Sequence, residues 1–135
     1  MPISTTWYDE DHRVIWIKFD VNWGWDELNK GLEEEAKLAA TVSYNLVAFV
    51  DMSQTKVFPQ GNILAQSRST IGNIPDSVTQ IVVVIQSRLI EVFAGLVIDM
   101  MPTWRNRVKF VKTVEEGQKL VAEAIAANSA RSSAS

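Results

Sequence analysis

The side chains able to do chemistry are few in this chain, and their spacing limits what they can do. Asp9-Glu10-Asp11-His12 gathers three carboxylates and the single histidine. Carboxylates are ligands for hard cations, but four consecutive residues in a tight turn point in different directions. The segment reads as a solvated turn. No motif supplies His12 with the orienting partners that nucleophilic catalysis needs. Asp51 and Ser53 follow an apolar run of strand length. That is where open α/β sheets bind ligands, outside the carboxyl ends of their strands. The simpler role for Asp51 is to orient the loop that follows it. Arg105, Arg107 and Lys109 share one face of a late segment. A basic stripe suits phosphate, and a charged edge strand gives the same pattern. A net charge of −3 favours the edge strand and argues against nucleic acid as a partner. No Gly-rich phosphate loop follows any candidate strand. The chain has no cysteine, which excludes thiolate chemistry and disulfides. A nucleophile, base and oxyanion set cannot be assembled, so the expectation is a non-enzymatic protein without metal or cofactor.

The elements that position these residues follow from hydrophobic periodicity. With 135 residues the chain fits one domain. Residues 5–8 are β-prone. Residues 14–21 alternate, with Ile15, Ile17, Phe19 and Val21 on one face and Trp16, Lys18 and Asp20 on the other. The connection is too short for a crossover, so the two segments pair antiparallel. Asp26-Glu27 opens a first helix at its positive end, with Leu28, Leu32, Ala36 and Ala39 on its inner face and Glu33, Glu34 and Lys37 outward. Continuous apolar runs at 46–50 and 81–85 read as central strands covered on both faces. A second helix spans 62–74, with Ile63, Ser67, Ile71 and Ile74 on one stripe, and stops at Pro75. A third helix, 89–101, ends at Pro102. The last strand, 107–111, leads into Thr113-Val114-Glu115-Glu116, a capping-box pattern that opens a fourth helix. Residues 1–128 form the domain, and 129–135 read as a flexible polar tail. The order β-β-α-β-α-β-α-β-α predicts a mixed, mainly parallel sheet with about four helices.

The third helix is apolar almost all round. Val92, Phe93, Leu96, Val97 and Met100 make one stripe, and Ile90, Ala94, Ile98 and Met101 much of another. Such a helix needs cover on both sides, which points to a second subunit, a protein partner or an apolar ligand. Among the five tryptophans, Trp23 and Trp25 flank Gly24 at a strand-to-helix turn and Trp104 follows Pro102. Tryptophan is enriched where contacts are made. Residues 1–6 have neither a basic nor an apolar leader segment, and no apolar run reaches a membrane span. The expected location is cytoplasmic.

The element order, Trp25-Asp26-Glu27-Leu28 opening the first helix, Val50-Asp51-Met52-Ser53 ending the third strand, Gly61 starting the second helix and the closing Thr113-Val114-Glu115-Glu116 together resemble the STAS family, the domain of sulfate transporters and anti-sigma-factor antagonists. A flavodoxin-like open sheet is the alternative. The resemblance implies a regulatory interaction module. Switchable members carry a phosphoacceptor serine at the start of the second helix, where a dianion meets unpaired N–H groups. Here that place falls on Gly61 or Gln60, and the family's Asp-Ser-Ser-Gly pattern is absent. The leading expectation is a regulatory or protein-interaction module, most simply a homodimer, acting through Asp51, Ser53, Phe58, Gly61, Phe93, Val97, Met100, Met101 and Trp104. The second is a carrier or sensor of a small apolar or lipid-like ligand held between the sheet and the third helix.

Overall fold

The computed structural model describes residues 2–134, and the side chains of residues 2–129. Strands β1 (Ile3–Trp7) and β2 (Val14–Phe19) form the antiparallel hairpin, with Ile3 opposite Phe19 and Trp7 opposite Ile15. Asp9 closes the turn between them. Its carboxylate accepts the backbone N–H groups of Arg13 at 3.0 Å and Val14 at 3.1 Å. His12 takes the left-handed conformation, φ 56°, and its exposed ring stacks on Trp7 at 4.4 Å. The acidic turn is therefore a structural device, with Asp9 spent on the backbone.

Helix α1 (Trp25–Ala39) leads to β3 (Leu46–Met52), α2 (Ile63–Gly72), β4 (Val78–Ile85) and α3 (Arg88–Asp99). A single 3₁₀ turn, Pro102–Trp104, precedes β5 (Val108–Val111) and α4 (Val114–Ala134). The sheet order is β1-β2-β3-β4-β5, and every pair beyond the hairpin is parallel. The expected mixed, mainly parallel α/β architecture is present. The basic segment lies as supposed at a sheet edge, although strand pairing begins only at Val108 and Arg105 belongs to the preceding turn.

This order dictates where the helices go. Successive crossovers of one handedness, each advancing one strand in the same direction, must lie on the same face. Thus α1, α2 and α3 share one face, and α4 alone covers the other. Two cores result. One joins Ile15, Ile17, Ala48, Ile81 and Val83 to Leu28, Leu32 and Ile90. The other joins Val14, Val47, Phe49, Val82 and Val84 to Val121 and Ala124. Trp16 belongs to this second face, 6.4 Å from the Phe49 ring.

Helix starts follow local chemistry. The Asn62 side chain accepts from Ala65 N–H, Ser87 from Ile90 N–H and Thr113 from Glu116 N–H, each satisfying a donor that a helix start leaves open. Three details differ from the sequence reading. Val21 lies beyond β2 and is exposed, because the strand ends at Phe19. On α1 the buried positions are Leu28, Gly31, Leu32, Glu35 and Ala39, while Ala36 is exposed. The segment assigned to a tail continues α4 through residue 134, and Asn128 is buried, bonding Thr79 at 2.9 Å. Ser135 lies outside the described residues.

The α4 face is tightly closed. A Cβ on Gly117 would meet Phe49 at 2.7 Å and Val84 at 3.2 Å. Gly117→Ala should therefore cost about 1–3 kcal/mol through overpacking. Gly95 in α3 has open space around it, and Gly95→Ala should stabilise by about 0.5–1 kcal/mol. Urea denaturation of the two variants checks both signs.

Candidate ligand cavity

The face carrying three helices is packed differently. Adjacent strands lie ~4.8 Å apart, whereas packed helices need ~8–10 Å. Three crossovers that each advance one strand cannot all seat their helices flat. The middle one gives way: α1 and α3 contribute buried side chains, and α2 contributes none. Beneath it lies a cavity of about 170 Å³. The sheet supplies its floor through Ile17, Phe19, Ala48, Val50, Ile81 and Val83. The walls come from Leu28, Leu32 and Glu35 of α1 and from Ile90, Ala94, Val97 and Ile98 of α3. Ser67, Thr70 and Ile71 of α2 form the roof.

An aromatic line closes one end. Phe19 meets Trp23 edge-on at 4.9 Å, Trp23 meets Trp25 at 5.4 Å, Trp25 stacks on Phe58 at 6.3 Å, and Phe58 meets Phe93 at 5.6 Å. The indoles also pin the β3–α2 connection. Trp23 Nε1 donates to Thr55 Oγ1 and Trp25 Nε1 to the Gln60 carbonyl, each at 3.1 Å. Next to Gln60, Gly61 has φ 124°, a conformation that needs glycine. Its role is to turn the chain into the Asn62 cap beside the Trp25 ring.

The candidate residues from sequence are dispersed. Phe58 and Val97 line the cavity, and Phe93 backs Phe58. Asp51 is buried, but its carboxylate accepts the Ser53 N–H at 3.0 Å and orders the loop. Neither Asp51 nor Ser53 is on the cavity wall. Met101 and Trp104 are half-buried, and the Arg107 guanidinium sits 5.1 Å above the Trp104 ring. Met100 points outward with Leu89, Val92 and Leu96. These four side chains retain 46%, 50%, 51% and 48% exposure respectively and form one stripe on α3. Val97, grouped by its spacing with Val92, Phe93, Leu96 and Met100, is buried and turns onto the cavity wall.

The residue missed from sequence is Glu35. It is 1% exposed, lines the cavity, and its Oε1 has no hydrogen-bond partner among the described residues. The 28, 32, 35, 39 spacing of α1 would have placed it inside; an alanine one position later drew the inward face to Ala36. Burial without a compensating charge pushes its carboxyl from 4.5 up to about 7. Among the described residues no three acidic or histidine side chains converge on a metal-sized site, and no helix is long and apolar enough to cross a membrane. Compared with models of known families, with characterised proteins and with solved structures, the chain matches none.

The Glu35 environment sets a pH dependence of stability. Below pH 4.5 the carboxyl is neutral in both folded and unfolded chains and exacts no ionisation penalty. Between 4.5 and about 7 only the unfolded chain ionises readily, so stability falls as pH rises. Above that range the loss is complete, at about 3 kcal/mol for this difference in pKa. Glu35→Gln should flatten the profile and be more stable than the parent at pH 8 but not at pH 4. Thermal unfolding across that range measures both.

Proposed function

We propose that the protein binds a small, mainly apolar molecule in the cavity beneath α2, as a carrier or sensor. The carrying observation is the cavity itself: about 170 Å³, walled by apolar side chains from the sheet and three helices. A dry cavity of about 150 Å³ in a protein interior accepts one benzene-sized ring. The side chains around such a space gain dispersion contacts when it is filled. A ligand that binds only the folded state raises its stability by mass action.

A second reading rests on the exposed α3 stripe. Leu89, Val92, Leu96 and Met100 leave contiguous apolar surface in water, and such surface marks contact sites. On this reading the chain is a regulatory or interaction module, as the STAS resemblance implies, with a second copy or another protein on α3. The two readings are compatible, since the stripe and the cavity wall are opposite faces of one helix.

Toluene should raise the melting temperature in a concentration-dependent way. Ala94→Phe, which directs a ring into the space, should remain folded and lose that response. An unchanged melting temperature in saturating toluene would count against ligand binding. For the second reading, Leu96→Glu should convert a dimer to a monomer in light scattering with the circular dichroism spectrum intact; a parent protein already monomeric and without a partner would remove it.

A further inference from the structure

The cavity wall carries one group that an apolar occupant alone does not explain. Glu35 stands where the α1 seam meets the sheet, between Leu32 and Ala39, and is almost wholly removed from solvent. Apart from the two indoles, whose N–H groups are already donated to Thr55 and Gln60, the polar side chains on the wall are Glu35, Ser67 and Thr70. Glu35 is the only one that carries an ionisable group. A buried polar atom left without a partner costs about 1–3 kcal/mol. Native structures seldom tolerate one unless something else satisfies it. Oε1 faces no donor within the described protein.

We propose that Glu35 is the polar anchor of the cavity and accepts a hydrogen bond from the hydroxyl or N–H of a neutral, otherwise apolar ligand about one aromatic ring in size. This rests on the ligand-binding reading above and specifies its chemistry. Size follows from the volume of the space. The donor requirement follows from the vacant acceptor, which takes a hydrogen bond whether the carboxyl is neutral or ionised. A ligand carboxylate would bring a second negative group to the same place. A ligand ammonium would have to be stripped of water in a site with no further hydrogen-bond partners for it beyond the Ser67 and Thr70 hydroxyls, and desolvating both members of an ion pair is costly. A neutral phenol- or indole-like molecule avoids both penalties. It also satisfies the general pattern of ligand pockets, mostly apolar walls with few polar groups that fix orientation.

The probes are p-cresol and p-xylene, which have nearly the same shape and differ by a hydroxyl for a methyl. Trp23 and Trp25 line the cavity, so intrinsic fluorescence reports occupancy. The quantity read is the ratio of the two affinities in the full-length chain. Glu35→Leu should lower the p-cresol to p-xylene ratio at least tenfold, mainly by weakening p-cresol. Glu35→Gln, which keeps an acceptor oxygen in place, should retain most of the preference. Should both probes bind and the ratio stay the same in Glu35→Leu, the anchor role falls while the ligand-binding reading survives. Should neither probe bind the parent protein at its solubility limit, both are overturned. Circular dichroism and Gly95→Ala, away from the wall, control for folding.

Discussion

Three helices compete for the width of too few strands, and the rest of the molecule follows from that competition. The strand order runs monotonically from β1 to β5, so each parallel crossover advances by a single strand. Two such steps supply ~10 Å of sheet, and three helices side by side ask for ~20 Å between the outer axes. Either the helices splay or one rises. Here α1 and α3 hold their buried seams, and α2 sits above them without a buried side chain. The space beneath α2 is thus a product of topology, and its apolar lining is simply the face of sheet and helix that would otherwise have been core.

Much of the architecture was legible because periodicity and punctuation agree. The alternation of Ile15, Ile17 and Phe19, the apolar runs around Phe49 and Val83, and the stops at Pro75 and Pro102 each point to one state. Of the cavity only its place between the sheet and the third helix was legible, not its lining or its cover by α2. Its lining residues, Leu28, Ala48, Ile71 and Ile90 among them, have the types and spacing of ordinary core. Nothing in sequence distinguishes a side chain that touches a neighbour from one that faces a gap. The inner face of α1 was misread by one position, since a glutamate is expected outside and an alanine is admissible on either side. On α3 the spacing marks two apolar faces but not which of them turns inward, and Val97 reaches the cavity wall because residues at the border between stripes are decided by how the helix is rotated against its neighbours.

The polar residues singled out from sequence have mostly local work. Asp9 holds a turn and Asp51 holds a loop, each by accepting backbone N–H groups. Those acids are partnered because they are next to the backbone they organise. Glu35 is different: it is deep within α1's inner face, on a mostly apolar cavity wall. The contrast shows why position in a segment is a poor guide to which acid is left without a partner. What separates them is the supply of nearby donors, and that supply is fixed by tertiary packing.

The tight seating of Gly117 against Phe49 has an evolutionary corollary. Across the sheet from α2, the α4 layer is a close fit in which even a methyl group is too much. Close packing and open space thus lie on opposite sides of one sheet. Descendants of such a chain can vary Ser67, Thr70 or Ile71 in the roof and change the shape of the space, while the layer across the sheet is left untouched.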